Sequence, residues 1–197
     1  GAMAVPMGLI GSAGRDPSTI RYHARQADEW HRSGWDPRSR LADQELDGVT
    51  AEVLFASVGV PLGVHPDLDY RKACMVAYNR WLEEYCSVAP SRLYGVGQAA
   101  VRSGSDAALE FETISSQGFR AVMMPGLPGE RDYDDPSYDP MWAAAVDLGL
   151  PLCFHIVTVK SQTGLRGPGI NAMMNTIRTC QDIVGMLIFS GVFDRHP

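Results

Sequence analysis

The stretch that decides the fold is Gly149-Leu-Pro-Leu-Cys-Phe-His-Ile-Val-Thr158, a nearly all-apolar run whose single ionisable side chain is His155. A short apolar run of this kind is typical of a buried parallel strand. The helical spacing of apolar residues over 138–148 stops at Gly149, so a helix leads into the strand, as in a βαβ unit. Ligands of parallel α/β folds bind at the carboxyl ends of strands, where His155 lies. Taken alone, His155 fits either a core histidine bonded to a backbone carbonyl or a ligand-binding residue.

The same alternation of short apolar runs and helical spacing extends towards both ends of the chain. Strands are predicted within residues 49–57, 92–101, 119–124 and 149–158. Helices are predicted over residues 36–47, 68–88, 137–148 and 170–189, with Gly185 as a candidate break, and over a segment capped by Ser105 that ends at Gly118. This order predicts an α/β fold, a partial TIM (β/α)8 barrel with about four strands and their helices.

The amino-terminal region differs in composition from the rest. Residues 1–3 resemble the remnant of a cleaved expression tag, and residues 4–35 are predicted to form a polar loop region with a helical patch over 19–31. His23 and His31 within it lack the i, i+4 spacing of a helical metal pair. The barrel domain is therefore predicted to span residues 36–197.

Composition excludes several classes of function. The formal net charge is -6 with no cluster of basic residues, which argues against a nucleic-acid partner. Apolar runs are all shorter than the roughly 20 residues that a membrane span needs, so no membrane partner is expected. Four widely spaced cysteines form no CxxC pair, and we interpret them as reduced core residues of a cytoplasmic protein.

Eight segments of the chain form a recognisable series: residues 36–41, 47–55, 78–82, 90–93, 118–120, 139–142, 149–155 and 190–197. In their order and spacing, these segments resemble the amidohydrolase-related family of aminocarboxymuconate semialdehyde decarboxylase and the resorcylate decarboxylases. The resemblance implies a barrel with a divalent metal, commonly zinc, held by a His-x-His pair on the first strand, a His on the fifth and an Asp on the eighth. Only the fifth-strand position is matched here, by His155. The resemblance therefore implies that His155 is a metal ligand.

The remaining ligands of that pattern have no match in this sequence. No segment before Asp36 resembles the His-x-His strand, and the chain ends at His196-Pro197, where the family would enter its sixth strand. We expect the chain to be truncated at both ends. A divalent metal, zinc or manganese, would be incompletely ligated here, because catalytic zinc needs at least three protein ligands. No catalytic residue is assigned.

Strand polarity supplies the other candidate site residues. Ser57 and Met124, near the ends of neighbouring strands, are expected to face the same side as His155 and to contact a small-molecule substrate. Two functions remain open at this point. The first is a metal-dependent enzyme that decarboxylates or hydrolyses a small carboxylated or cyclic substrate, and the second is a non-catalytic barrel relative that acts as a binding or interaction module.

Open sheet edges and wide apolar helix faces predict a further partner. Half a barrel exposes unpaired backbone groups and apolar side chains that a soluble monomer rarely leaves uncovered. We therefore expect either a homodimer or association with the missing half of the barrel, and the family resemblance also implies a dimer.

Overall fold

The computed structural model describes residues 16–19, 31–56, 59–129, 131–155 and 171–197. Six helices and five short strands lie in these ranges: α1 (Pro37–Asp47), β1 (Glu52–Leu54), α2 (Leu68–Ser87), β2 (Leu93–Gly95), β3 (Gly97–Gln98), α3 (Gly104–Ser116), β4 (Val122–Met124), α4 (Asp139–Asp147), β5 (Leu152–Phe154), α5 (Asn171–Phe189) and α6 (Val192–Arg195). Short 3-10 turns at Pro17–Thr19, Arg32–Gly34, Val60–Val64 and Pro136–Tyr138 complete the list. The alternation confirms the predicted α/β class.

All strand pairs are parallel. β1 pairs with β2, and β3, β4 and β5 form a three-stranded sheet in that order. The single strand predicted over residues 92–101 is therefore two strands, separated by Val96. The Val96 amide still donates to the Leu54 carbonyl at 3.0 Å, whereas the next amide, that of Gly97, donates to Ala121 at 3.1 Å. The chain thus changes its pairing partner between these residues and gives the row β1, β2/β3, β4, β5.

Two apolar clusters lie on opposite faces of this row. The larger joins strand residues such as Val122 and Met124 to helix residues that include Leu82, Phe111 and Trp142. The smaller comprises Ala56, Val60, Val96 and Met123. Because side chains alternate along a strand, consecutive residues such as Met123 and Met124 belong to different clusters. The larger cluster forms the layer between strands and helices, and the smaller lies on the other face, which we call the inner face.

Local signals account for most of the helix boundaries. The Asp36 side chain accepts from the Arg38 amide and Pro37 occupies the first helical position, as the sequence predicts. Gly149 adopts φ 62° directly after α4, and the Leu150 amide donates to the Ala145 carbonyl at 2.9 Å, which is the closing bond of a Schellman motif.

Three predicted boundaries are wrong. The cap of α3 is Ser103 rather than Ser105, because it is the Ser103 hydroxyl that accepts from the Asp106 amide. α4 begins at Asp139 after a 3-10 turn, two residues later than expected, and α5 continues through Gly185 without a break. Most of the helical patch predicted over 19–31 lies outside the described residues.

Candidate functional site

His155 directly follows β5, and its ring lies 6.2 Å from the ring of Phe55, which follows β1. β1 and β5 are the two edges of the strand row. In a flat sheet three strand spacings of about 4.8 Å would hold the edges about 14 Å apart. The ring contact therefore requires a curved sheet in which both side chains project from the concave side.

The face on which His155 lies also follows from its neighbours in β5. Phe154 packs against the larger cluster and makes an edge-to-face contact with Tyr133, with ring centroids 5.3 Å apart. Alternation then directs His155 to the opposite, inner face, which is also the face of Met123. The inner face at the carboxyl end of β5 is therefore the candidate site.

Met124 does not have the orientation that the sequence predicted. It is paired in register with Phe154, so the two side chains share a face, and it is fully buried in the larger cluster. Side chains alternate between the two faces of a strand, so choosing a residue one position too late selects the opposite face. On β4 the residue that points to the inner face is Met123. Ser57, the other expected contact, lies outside the described residues.

A buried glutamate fixes the carboxyl end of β3. Glu110 of α3 accepts through Oε2 from the amides of Ala100 and Val101, both at 3.1 Å, and its Oε1 lies 3.9 Å from Lys72 Nζ. Burial raises the pKa of this carboxyl above its ordinary value, although these hydrogen bonds and the Lys72 charge act in the opposite direction. Val101 has φ 54°, a left-handed conformation that is unusual for a β-branched residue. The carboxylate holds this strained turn in place.

Arg71 of α2 ties the same region to the loop after β4. Its guanidinium donates to the Ala100 carbonyl and to the Leu127 carbonyl, the latter at 3.3 and 3.4 Å. The residue is only 2% exposed, and burial lowers the pKa of the guanidinium while the nearby Tyr133 and Glu110 raise it. The carboxyl ends of β3 and β4 are thus fixed to α2 and α3 by buried polar groups.

Asn79 and Gln98 are functional candidates that sequence reasoning missed. The Asn79 side chain of α2 accepts from the backbone amide of Gln98 at 2.8 Å and donates to its backbone carbonyl at 2.9 Å. It thus takes the place of a neighbouring strand on the side of β3 that faces away from β4, where β1 no longer pairs. Gln98 projects a buried side-chain amide from an otherwise apolar strand. A single side-chain amide within the apolar segment 93–101 was the sequence feature that could have identified Gln98 as a candidate.

The described residues do not form a complete metal site. Among them, no three His, Cys, Asp or Glu side chains lie close enough together to hold an ion. The other described histidines have local contacts elsewhere: His31 with Ser33, His65 with Tyr70, and His196 with Asp139. Burial raises the pKa of the Cys153 thiol, which disfavours the thiolate that a metal would need. Of the expected metal ligands, the described part of the chain supplies His155.

In barrel enzymes, functional residues typically lie at the carboxyl ends of parallel strands. His155 has this position, and its side chain projects from the inner face. The amidohydrolase family profile matches residues 20–197, and the chain belongs to this family. No curated protein sequence matches the chain.

Solved structures with the same fold include decarboxylases. An amidohydrolase from Mycobacterium avium subsp. paratuberculosis is 22% identical with a TM-score of 0.72, covering 98% of this chain and 54% of that one. A 5-carboxyvanillate decarboxylase from Novosphingobium aromaticivorans, complexed with manganese, is 25% identical with a TM-score of 0.67, over 81% and 46% of the two chains. A 2,6-dihydroxybenzoate decarboxylase from Rhizobium is 20% identical with a TM-score of 0.64, over 90% and 55%. The chain spans about half the length of these structures.

Proposed function

We propose that the complete protein is a metal-dependent enzyme that removes carbon dioxide from a small carboxylated substrate, and that this chain forms part of its TIM barrel. The observation that carries the proposal is the position of His155, which follows β5 and lies 6.2 Å from Phe55 across the concave side of the sheet. Similarity to 5-carboxyvanillate and 2,6-dihydroxybenzoate decarboxylases supports decarboxylation as the reaction.

His155 is proposed as one ligand of a divalent metal. The manganese in the 5-carboxyvanillate decarboxylase structure supports manganese, and the sequence resemblance favours zinc. A catalytic metal of this kind needs about three protein ligands, so the remaining ligands are proposed to come from outside the described residues. Such an ion would supply charge stabilisation to the oxygens of the substrate.

The test uses the complete native protein. Elemental analysis after dialysis should give one equivalent of manganese or zinc, and incubation with 2,6-dihydroxybenzoate or 5-carboxyvanillate should release carbon dioxide. His155→Ala should lose most of the metal, whereas the matched control His31→Ala, at a histidine that contacts Ser33 instead, should keep it. The present chain alone is expected to bind no stoichiometric metal. Stoichiometric metal in the His155→Ala variant would contradict the assignment of His155 as a ligand, and metal-loaded protein that releases no carbon dioxide from either acid would contradict the proposed decarboxylation of such substrates.

We also propose that the concave side is covered in the functional protein, by the rest of the barrel or in a homodimer. Val53 in β1 is 59% exposed, and Phe55 directly after β1 is 41% exposed, although both are large and apolar. α5 likewise exposes Ile177, Val184 and Ile188. Exposed apolar surface of this kind favours association. Sedimentation of the present chain at low micromolar concentration should therefore show self-association, and a stable, folded monomer would contradict this.

We further propose a cytoplasmic enzyme without a membrane or nucleic-acid partner. No helix within the described ranges is long and apolar enough to cross a membrane. All four cysteines are free thiols, which agrees with the proposal of a cytoplasmic enzyme. The domain limits and a substrate contact by Ser57 stay predictions.

A further inference from the structure

The backbone of Gln98 is held rigidly within the sheet. Both its amide and its carbonyl are bonded to the Asn79 side chain, and its pairing with Met123 in β4 fixes the register. Side chains of residues paired in register project from the same face of a parallel sheet. Gln98 therefore projects from the face of Met123, which is also the face of His155.

The side-chain amide of Gln98 is buried without a hydrogen-bond partner. The residue is 2% exposed, and in the described part of the chain neither Oε1 nor Nε2 forms a hydrogen bond. The group packs instead against the main chain of Gly59, where a Cβ would lie 2.8 Å from Oε1. Buried polar groups are nearly always paired, and an unpaired amide destabilises the fold relative to an apolar residue of similar size. The neighbouring inner-face residues, Val96 and Met123, are indeed apolar.

Gln98 and His155 lie close enough for one small molecule to contact both. Two strand spacings of about 4.8 Å and two residues of rise at about 3.3 Å separate their Cα atoms by about 12 Å. Both side chains project towards the concave side, so the gap between their polar ends is shorter. The glutamine side chain has three rotatable bonds, which allow the amide to turn from Gly59 towards this gap.

We propose that Gln98 is a specificity-determining residue that binds a hydroxyl group of the substrate; this inference rests on the proposed function. The primary amide offers one donor and one acceptor side by side. A hydroxyl satisfies both, because its oxygen accepts from Nε2 and its hydrogen is donated to Oε1. A carboxylate oxygen only accepts, so it would leave Oε1 unpaired. The preferred substrate is therefore a small hydroxylated acid whose hydroxyl contacts Gln98 and whose carboxylate lies elsewhere.

The test compares two probes that differ by one hydroxyl group. Calorimetric titration of the complete, metal-loaded protein should show 4-hydroxybenzoate, whose hydroxyl lies away from the carboxylate, binding about tenfold more tightly than benzoate, which corresponds to about 1.4 kcal/mol. Gln98→Met should abolish this ratio, because the variant has neither the donor nor the acceptor for the hydroxyl. Met123→Leu, an apolar change on the same face, is the matched control and should keep the ratio. If Gln98→Met does not fold, Gln98→Leu also removes both the donor and the acceptor and should likewise abolish the ratio.

Thermal unfolding of the free protein gives a second readout. Gln98→Met should raise Tm, because it removes an unpaired buried amide. A lower Tm would show that the amide already has a partner within the protein and would overturn the inference. The inference is also overturned by a hydroxyl preference that survives Gln98→Met, or by wild-type protein that does not distinguish the two probes. Neither readout requires turnover, so a protein that binds the hydroxyl through Gln98 without releasing carbon dioxide would refute only the proposed decarboxylation.

Discussion

Replacement of Glu110 should be among the most destabilising substitutions that leave the apolar core intact. The carboxylate accepts from two buried amides, those of Ala100 and Val101, and neither amide has another acceptor among the residues that the structure describes. Glu110→Ala leaves both amides unpaired. An unsatisfied buried donor costs about 1–3 kcal/mol, so the pair should lower the free energy of unfolding by about 2–6 kcal/mol. The control Glu112→Ala changes an exposed residue of the same helix and should stay within about 0.5 kcal/mol of wild type.

Glu110→Gln removes the ionisable group but keeps an oxygen that can accept hydrogen bonds, so it distinguishes the effect of the charge from the effect of the hydrogen bonds. The glutamine oxygen can still accept from the two amides, so we expect a smaller loss, about 1 kcal/mol, at low pH. Burial raises the folded-state pKa of Glu110 above its unfolded value, which means that the folded state binds the proton more tightly. The stability contributed by this proton is complete below the unfolded pKa and is lost as pH rises through the folded pKa. The advantage of wild type over Glu110→Gln should therefore shrink as pH rises above about 4.5.

Urea denaturation of wild type, Glu110→Ala, Glu110→Gln and Glu112→Ala between pH 4 and pH 8 measures these differences. Equal stability of Glu110→Ala and Glu112→Ala would refute the view that Glu110 satisfies the two amides. A wild-type advantage over Glu110→Gln that grows with pH would show that the carboxyl has a lowered pKa in the folded protein. The first result would remove the proposed role of Glu110 at the end of β3, and the second would refute the raised pKa of its carboxyl.

Two further substitutions probe single hydrogen-bonding groups. Asn79→Leu keeps an apolar body in α2 but leaves the amide and carbonyl of Gln98 unpaired, so denaturation should show a loss of about 2–5 kcal/mol, and a neutral result would contradict the pairing. Tyr85→Phe removes the bond from the Tyr85 hydroxyl to the Ser33 carbonyl at 2.6 Å and should cost about 1 kcal/mol at pH 7. Burial raises the pKa of Tyr85 to about 12. The stability advantage of wild type over Tyr85→Phe should therefore be complete below about pH 10 and decline as pH rises towards 12. A constant advantage through this range would refute the raised pKa.

Sequence reasoning was most successful where one local signal fixes one local structure. The Asp36-Pro37 pair predicts the start of α1, and Gly149 predicts the end of α4 and the entry into β5. The order of helices and strands follows from such signals, because alternation and helical spacing act over a few residues. The amidohydrolase resemblance is likewise confirmed by the match over residues 20–197.

The details that depend on tertiary pairing were not predictable in the same way. The face from which Met124 projects depends on the register of β4, and sequence periodicity locates the ends of a strand only to within a few residues. The division of β2 from β3 is a change of backbone partner, from Leu54 to Ala121, and Asn79, 19 positions before Gln98 in the sequence, pairs with the side of β3 that faces away from β4. The role of Glu110 requires knowing that α3 packs its buried face against the turn at Val101. Each of these facts is set by contacts between elements that the sequence does not show side by side.

The pairing of Asn79 with Gln98 has a consequence for how the chain folds. β1, α2 and β2/β3 form one βαβ unit in which the last strand bonds to a side chain of the helix that immediately precedes it. Contacts with short sequence separation form with little loss of loop entropy, and they favour rapid folding. We therefore expect this unit to pair early in folding, because its contacts need no residue after Gln98. It then offers β4 an ordered strand edge on which to pair.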